Sequence, residues 1–223
     1  MADRNAPGRF ITFEGIDGAG KSTQGRRLAR WLEQHGVSVC LTREPGGSPG
    51  AEQIRNLLVT GPAERWDPWC EALLLYAARR DHWIRLIEPA LARGQWVICD
   101  RFADSTFVYQ GSAGGMCMAM LQRLHDLALG PVRPDVTVLL DLPVPRGLER
   151  VRDRATGEDR FENRARDYLD RLRKGFLDRA RAEPDRIAVI DASAAPGEIA
   201  HAVLDELRAR LPRDTASWPT TAP

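Results

Sequence analysis

The hydrophobic positions of the chain fall into five short runs that are apolar along most of their length. Such runs are typical of β-strands that helices cover on both faces, because both sides of the strand are then buried. The predicted strands are Arg9–Glu14 (RFITFE), Val37–Leu41 (VSVCL), Gln95–Cys99 (QWVIC), Val136–Leu140 (VTVLL) and Arg186–Ile190 (RIAVI).

Longer segments with helical periodicity separate these runs. The predicted helices are Lys21–Gln34, about Ala51–Val59, about Asp67–Arg93, Met116–Leu129, Pro145–Arg154, Glu162–Glu183 and Pro196–Leu211. A regular alternation of strand and helix predicts a parallel sheet with right-handed crossovers. We therefore expect an α/β fold in three layers, in which helices flank a five-stranded parallel sheet. Ligands of such sheets bind beyond the carboxyl ends of the strands.

The rest of the chain adds no second domain. We expect one domain over residues 9–211, a flexible N-terminus at residues 1–8, and a disordered tail at residues 212–223, which are polar and rich in proline. No apolar run approaches the ~20 residues of a membrane span, and the N-terminal sequence MADRNAPGRF lacks the apolar segment of a secretory signal. These features predict a cytoplasmic protein without a membrane partner.

Composition excludes several further classes. The chain has 223 residues, with 32 Lys and Arg against 31 Asp and Glu, so its formal net charge is +1. This balance argues against a broad nucleic-acid-binding face. Its four cysteines are widely spaced, which argues against a zinc site or a disulfide framework. Lys21 and Lys174 are the only lysines in the sequence, and the other basic residues are arginines.

A glycine-rich motif follows the first predicted strand. Residues 15–22 read GIDGAGKS, which fits G-x-x-x-x-G-K-[ST] between a strand and a helix. In this motif backbone N–H groups and the helix N-terminus bind phosphate, while Lys21 reaches the β- and γ-phosphates and Ser22 binds Mg²⁺. The motif predicts binding of a nucleoside triphosphate with magnesium. The predicted ATP-binding residues are Gly15, Ile16, Asp17, Gly18, Ala19, Gly20, Lys21, Ser22 and Thr23.

The phosphate loop alone does not distinguish GTPases, motor ATPases and small-molecule kinases. The sequence has no N-K-x-D guanine motif, and no predicted strand ends in the acidic pair of a motor ATPase. Asp100-Arg101-Phe102 instead follows the third strand. Asp100 could hold the water shell of magnesium, and Arg101 could bind a second phosphate. A strand-end salt bridge is the alternative interpretation.

Several further blocks make the chain similar to bacterial thymidylate kinases, from Phe10 to about Leu211. They are Phe13-Glu14-Gly15, Thr42-Arg43-Glu44-Pro45-Gly46-Gly47, Leu75-Tyr76-Ala77-Ala78-Arg79, Asp100-Arg101-Phe102, Ser105-Thr106, Tyr109-Gln110-Gly111, Pro134-Asp135 and Leu140-Asp141. The resemblance implies a P-loop kinase fold and the transfer of the γ-phosphate of ATP to dTMP, with Mg²⁺. It also implies a role in dTTP synthesis for DNA replication and a homodimer formed through the long third helix.

The resemblance further implies a binding site for dTMP. Its residues would be Asp17, Pro45, Arg55, Leu75, Arg79, Arg101, Ser105, Thr106, Tyr109 and Gln110. In the family the position of Leu75 is usually Phe, which stacks on thymine, while Arg79 hydrogen-bonds the base. Leucine loses about 1 kcal/mol of stacking, for which Tyr76 or Phe102 could compensate. Tyr109 would crowd a 2′-hydroxyl and so favour deoxyribose.

The acceptor phosphate is already largely dianionic at pH 7, because its second pKa is ~6. Catalysis then needs charge stabilisation, much of it from an arginine. Some family members carry this arginine in the phosphate loop, but here that position is Gly18. We therefore expect an arginine-rich lid at about residues 150–162, with Arg154 and Arg160 as phosphate contacts and Arg150 next. The predicted catalytic residues are Lys21, Arg101, Arg154 and Arg160, and the predicted metal ligands are Ser22 and Asp100.

Two other functions stay open on the sequence. Leu75 leaves room for a kinase that acts on another nucleoside or nucleoside monophosphate. A nucleotide-binding regulatory protein without turnover would also keep the phosphate loop. Asp100-Arg101 and the arginine-rich segment argue against that second alternative, since a switch needs no second phosphate clamp.

Overall fold

The computed structural model describes residues 8–62, 65–152 and 162–211. Its five strands are β1 (Phe10–Glu14), β2 (Val39–Arg43), β3 (Trp96–Asp100), β4 (Val136–Asp141) and β5 (Ile187–Asp191). They form one parallel sheet in the order β2-β3-β1-β4-β5. The predicted α/β fold with a five-stranded parallel sheet is confirmed.

Helices cover both faces of this sheet. They are α1 (Lys21–Gln34), α2 (Pro49–Val59), α3 (Pro68–His82), α4 (Glu88–Ala92), α5 (Ala103–Thr106), α6 (Met118–Leu129), α7 (Val144–Arg152), α8 (Glu162–Ala182) and α9 (Pro196–Arg210), with π-helical turns at Trp83–Ile87 and Phe107–Ser112. One face buries a cluster that includes Ile11 and Phe13. The other buries a cluster that includes Phe10 and Phe102. Alternate residues of β1 thus enter opposite cores, as the period of a strand requires.

The register of the sheet places the two predicted phosphate-binding segments side by side. Phe13 on β1 is opposite Asp100 on β3, so Gly15 and Arg101 leave the sheet at the same edge. This edge is formed by the carboxyl ends of the parallel strands, where ligands of such folds bind.

The third predicted helix and the second predicted strand differ from the sequence-based expectation. The helix predicted at about Asp67–Arg93 contains the π-helical turn Trp83–Ile87 between α3 and α4. Pro89 has no N–H to continue the i→i−4 ladder, and the N–H of Glu88 bonds the carbonyl of Trp83. The second strand begins at Val39, not Val37, because the N–H of Val37 still closes the end of α1 on the carbonyl of Leu32.

The segment Ala103–Ser112, which was not predicted to be helical, forms α5 and the second π-helical turn. Its side chains do not follow a simple 3.6-residue pattern because α5 has only four residues and the π turn offsets the periodicity. This short helical segment carries four of the predicted dTMP contacts, namely Ser105, Thr106, Tyr109 and Gln110.

Some predictions fall on residues that the structure does not describe. Residues 1–7 and 212–223 lie outside the described ranges, as do residues 153–161 with Arg154 and Arg160. The predicted domain limits and the predicted lid therefore stay predictions. Among the described helices, none is both long and apolar enough to cross a membrane.

Candidate active site

The phosphate loop takes a shape that glycine permits. Gly15 and Gly18 have φ values of 136° and 82°, a region that L-residues with side chains rarely adopt. A Cβ on Gly15 would lie 2.5 Å from the carbonyl oxygen of Leu140, and one on Gly18 would lie 2.6 Å from that of Gly147. The loop is therefore held against β4 and α7 at distances that exclude a side chain.

Lys21, at the start of α1, lies under this loop. Its Nζ donates to the carbonyl oxygens of Gly15 at 3.0 Å and Ile16 at 2.9 Å, and it lies 3.8 Å from the carboxylate of Asp17. Burial, together with the charge of Arg101, lowers the pKa of Lys21 to about 8, although Asp17 opposes the shift. An anionic ligand would favour the charged form, as a phosphate-binding lysine requires.

The structure brings together the two predicted metal ligands. The hydroxyl of Ser22 donates to a carboxylate oxygen of Asp100. Both offer hard oxygen donors, which suit Mg²⁺, an ion that completes its shell with water and substrate phosphates. The described residues contain no group of three or more His, Cys, Asp and Glu that could hold a metal.

Arg101 joins the phosphate loop to the acceptor side of the site. It has φ 71°, which is uncommon for a residue with a side chain. Its guanidinium donates to the carbonyl of Gly15 (3.3 Å), Ser105 Oγ (3.1 Å), Asp17 Oδ1 (2.6 Å) and Tyr109 Oη (3.1 Å). One cation thus joins the phosphate loop to the helical segment after β3.

Arg79, on α3, is buried at 3% exposure. Its Nε donates to Glu44 Oε2 at 2.6 Å, and its Nη2 donates to the carbonyl of Phe102 and to Thr106 Oγ1. The rings of Tyr76 and Phe102 lie 4.8 and 5.4 Å from its guanidinium carbon. Both side chains are buried and hold Arg79; Phe102 also lines the cleft, whereas Tyr76 does not.

Two polar atoms in this region have no hydrogen-bond partner among the described residues. They are Nη1 of Arg79, a donor, and Oε1 of Gln110, an acceptor. Gln110 is 8% exposed. Because an unpaired buried polar group is costly, both atoms indicate a ligand that supplies the missing partners.

A single cleft of about 830 Å³ runs from the phosphate loop to Arg79 and Gln110. The predicted residues that line it are Asp17, Gly18, Gly20, Lys21, Ser22, Thr23, Pro45, Arg55, Leu75, Arg79, Asp100, Arg101, Ser105, Thr106, Tyr109 and Gln110. Gly15, Ile16 and Ala19 do not line it and are buried. The residues predicted to bind ATP and those predicted to bind dTMP therefore line the same cleft.

Two predicted arginines make backbone contacts beside the cleft. Arg55 on α2 donates to the carbonyl of Pro45 at 2.7 Å. Arg150 on α7 donates to the carbonyls of Gly18 at 3.3 Å and Ala192 at 3.2 Å, and so connects the phosphate loop to the segment after β5. Both hold loops that border the cleft.

Sequence reasoning did not predict the contacts of several buried acids that support these residues. Glu44 also accepts from His82 Nδ1 at 3.1 Å. Asp104 is paired with Arg179 at 2.7 Å and Arg186 at 2.8 Å. Glu14 ends β1 and is 1% exposed. An acid at the end of an apolar strand was the one sequence signal for Glu14, whereas nothing local in the sequence indicates the partners of Glu44 and Asp104.

The chain is similar to proteins of one known family. A family model described as thymidylate kinase matches residues 13–203. The thymidylate kinase of Dinoroseobacter shibae is 56% identical over 201 residues, covering 90% of this chain and 97% of that protein. That of Caulobacter vibrioides is 53% identical over 204 residues, covering 92% and 98%.

A solved structure extends the similarity to three dimensions. The crystal structure of thymidylate kinase from Ehrlichia chaffeensis superposes with a TM-score of 0.73 at 37% sequence identity, covering 91% of this chain and 99% of that one. Since the family model spans most of the chain and its relatives match over nearly their full length, this chain belongs to the thymidylate kinase family.

Proposed function

We propose that this chain phosphorylates dTMP, transferring the γ-phosphate of ATP to give dTDP and ADP. Family membership supports the reaction, and one observation of the cleft supports the acceptor. Nη1 of Arg79 is a buried donor and Oε1 of Gln110 is a buried acceptor, and neither has a protein partner among the described residues.

The hydrogen-bonding edge of thymine complements this pair. Thymine presents the O4 acceptor beside the N3–H donor, whereas cytosine presents an amino donor beside a ring-nitrogen acceptor. Thymine can therefore satisfy both Arg79 and Gln110. Cytosine would leave each of them unpaired, and an unsatisfied buried group costs about 1–3 kcal/mol. The pair thus selects for a thymine or uracil base.

At the other end of the cleft, the phosphate loop and α1 bind the triphosphate. Ser22 and Asp100 would hold Mg²⁺, which neutralises phosphate charge when bound. Lys21 supplies a compact positive charge to the transferring group, and Arg101 supplies a fixed guanidinium between the loop and the acceptor. Arg154 and Arg160 would add lid contacts. Because the acceptor phosphate is already largely dianionic, positioning and charge stabilisation suffice without a strong general base.

Tyr109 and Asp17 would contact the deoxyribose. Both bond the guanidinium of Arg101, so the sugar and the phosphates are oriented by the same residue. Leu75 would cover the base with aliphatic surface, beside Leu58 and Val59 in the cleft wall.

The cellular role and assembly belong to the same proposal. The reaction takes place in the cytoplasm and supplies dTDP for the synthesis of dTTP, which DNA replication uses. The protein acts as a homodimer. Support for the dimer comes from the exposed apolar side chains Trp69, Leu73 and Ile84, which lie along α3 and the π-helical turn that follows it.

An acceptor panel tests the proposed reaction. ADP release is measured with ATP and Mg²⁺ against dTMP, dUMP, dCMP, AMP, GMP and thymidine. We expect dTMP to give the highest kcat/KM. Preference for a different acceptor would show another nucleoside or nucleotide kinase, and no acceptor-dependent turnover would show a nucleotide-binding protein without kinase activity.

A further inference from the structure

Glu14 has no part in the mechanism above, yet its carboxylate is buried at the centre of the site. It is the last residue of β1 and lies on the same face of the strand as Phe10 and Thr12. A buried carboxylate at this place requires hydrogen bonds or charges that offset its lost hydration.

Its hydrogen bonds all go to the turn that follows β3. Oε1 accepts from the backbone N–H groups of Phe102 at 2.8 Å and Ser105 at 3.2 Å, and Oε2 accepts from Ser105 Oγ at 2.6 Å. These backbone groups lie at the start of α5, where a helix has no internal partners for its donors. A side chain from another strand therefore satisfies the first turn of the helical segment that carries the predicted dTMP contacts.

The same hydrogen bonds extend to Arg101. Ser105 Oγ donates to Glu14 and accepts from Arg101 Nη1 at 3.1 Å, so the hydroxyl has a defined direction. Glu14 thus fixes the backbone just after Arg101, a residue with a positive φ. It also fixes Ser105, which accepts a hydrogen bond from the guanidinium of Arg101. Arg101 in turn bonds Asp17 and Tyr109.

The charges around Glu14 are mixed. Burial and then the charge of Asp104 raise the pKa of Glu14 to about 7, although Arg101 opposes the shift. Lys21, Arg79, Tyr109 and Cys99 also interact electrostatically with Glu14. Folding therefore keeps a carboxyl group here at an energetic cost, although an apolar residue at the end of β1 would avoid that cost. The hydrogen bonds that Glu14 accepts from the turn after β3 explain why a carboxyl group is present here.

We propose that Glu14 is a positioning residue for the acceptor: it fixes the turn through Ser105 so that Arg101 spans the phosphate loop and the acceptor phosphate. The proposal rests on the proposed dTMP kinase function. It assigns Glu14 no contact with either substrate. It predicts that loss of Glu14 changes the use of dTMP more than the use of ATP, because Lys21 bonds two loop carbonyls directly and none of its hydrogen bonds to described residues goes to the turn.

The principal test is Glu14→Ala. We expect kcat/KM for dTMP to fall about 100-fold, as expected when a reacting geometry is displaced by about 1 Å, while KM for ATP stays unchanged. The matched control is Thr12→Val on the same face of the same strand. It removes the buried hydrogen bond between Thr12 and Thr137 without touching the turn. We expect this control to lower Tm and leave KM for dTMP and KM for ATP unchanged.

Two further variants separate positioning from general stability. Glu14→Gln retains an oxygen that accepts the two backbone N–H groups, and we expect it to recover most of the lost kcat/KM. Ser105→Ala removes the link to Arg101 while leaving those backbone bonds, and we expect the same selective loss for dTMP, but smaller. If Glu14→Ala does not fold, these two variants carry the test.

Calorimetric binding of dTMP to each variant distinguishes the two proposals. Wild-type protein that binds dTMP without turnover would overturn the proposed function alone. The role of Glu14 would be overturned if Glu14→Ala left dTMP binding and kcat/KM for dTMP unchanged. It would also be overturned if Glu14→Ala raised KM equally for dTMP and ATP.

Discussion

The phosphate loop and the acceptor end of the cleft adjoin each other but are stabilised in different ways. The loop is held by its own backbone: Gly15 and Gly18 pass within van der Waals distance of β4 and α7, and Lys21 bonds two loop carbonyls. The acceptor end is held by buried charges that come from distant parts of the chain. There Arg79 pairs with Glu44 and Arg101 bonds Ser105, which Glu14 anchors.

Because of this difference, two sets of residues can be distinguished: those predicted to contact substrate, and those that hold the first set in position. In the loop the two sets nearly coincide, so substitutions affect phosphate binding directly. At the acceptor end a second set, Glu14, Glu44 and His82, lies behind the first. Substitutions there should alter stability and dTMP recognition together.

The largest expected effect is at the loop. Lys21→Ala should lower kcat by about 10³-fold, because it removes the charge that stabilises the transferring phosphoryl group. The measurement is ADP release at saturating ATP and dTMP. The other lysine gives the control, since Lys174 is exposed and pairs with Asp178, and Lys174→Ala should leave kcat unchanged. A small effect of Lys21→Ala would contradict the assignment of the loop.

A change at the acceptor end should mainly reduce stability. Glu44→Ala leaves the buried cation of Arg79 without its carboxylate, which costs about 3–5 kcal/mol of unfolding free energy. Urea unfolding measures it. The control Asp178→Ala removes an exposed acid that pairs with Lys174 and Arg181, and it should cost about 0–1 kcal/mol. Equal costs for the two variants would show that the buried pair does not hold the acceptor end.

A smaller effect tests whether backbone shape holds the loop. Gly18→Ala places a Cβ 2.6 Å from the carbonyl oxygen of Gly147 at φ 82°, and should cost about 1–3 kcal/mol of stability while raising KM for ATP. Gly197→Ala on α9 is the matched control. Its Cβ would meet nothing within 4 Å, so stability should stay equal or rise. An unchanged KM for ATP in Gly18→Ala would contradict the account of the loop.

The smallest effect concerns the surface that covers the base. Leu75→Phe should tighten dTMP binding by about 1 kcal/mol through stacking on thymine. Calorimetry with dTMP measures this change, and dTDP release confirms that turnover continues. Weaker binding would mean that Leu75 does not lie over the base.

Much of the fold could be predicted because it depends on local pattern. The bounds of α1 at Lys21–Gln34 agree with the prediction, and all five strands overlap their predicted runs. The helical segment Ala103–Ser112 could not be predicted, since its first turn depends on a carboxylate from β1, far away in sequence.

The same contrast applies to the site. The phosphate loop is one contiguous motif whose spacing implies its chemistry, and family resemblance supplied the predicted acceptor residues, which line the cleft. Neither source indicated Glu44 as the partner of both Arg79 and His82, because those contacts join the residue after β2 to α3 across 35 and 38 positions. Nor did they indicate that Arg79 and Gln110 each keep one buried polar atom unpaired.

Substrate discrimination tests directly whether Nη1 of Arg79 and Oε1 of Gln110 pair with the base. The measurement is the ratio of kcat/KM for dTMP to that for dCMP in the wild-type protein and in Gln110→Leu. We expect the wild type to prefer dTMP by about 10⁴-fold, as for sites that hydrogen-bond the matching group, and the ratio to fall in Gln110→Leu. A wild-type ratio near one, or a ratio that Gln110→Leu leaves unchanged, would contradict the account.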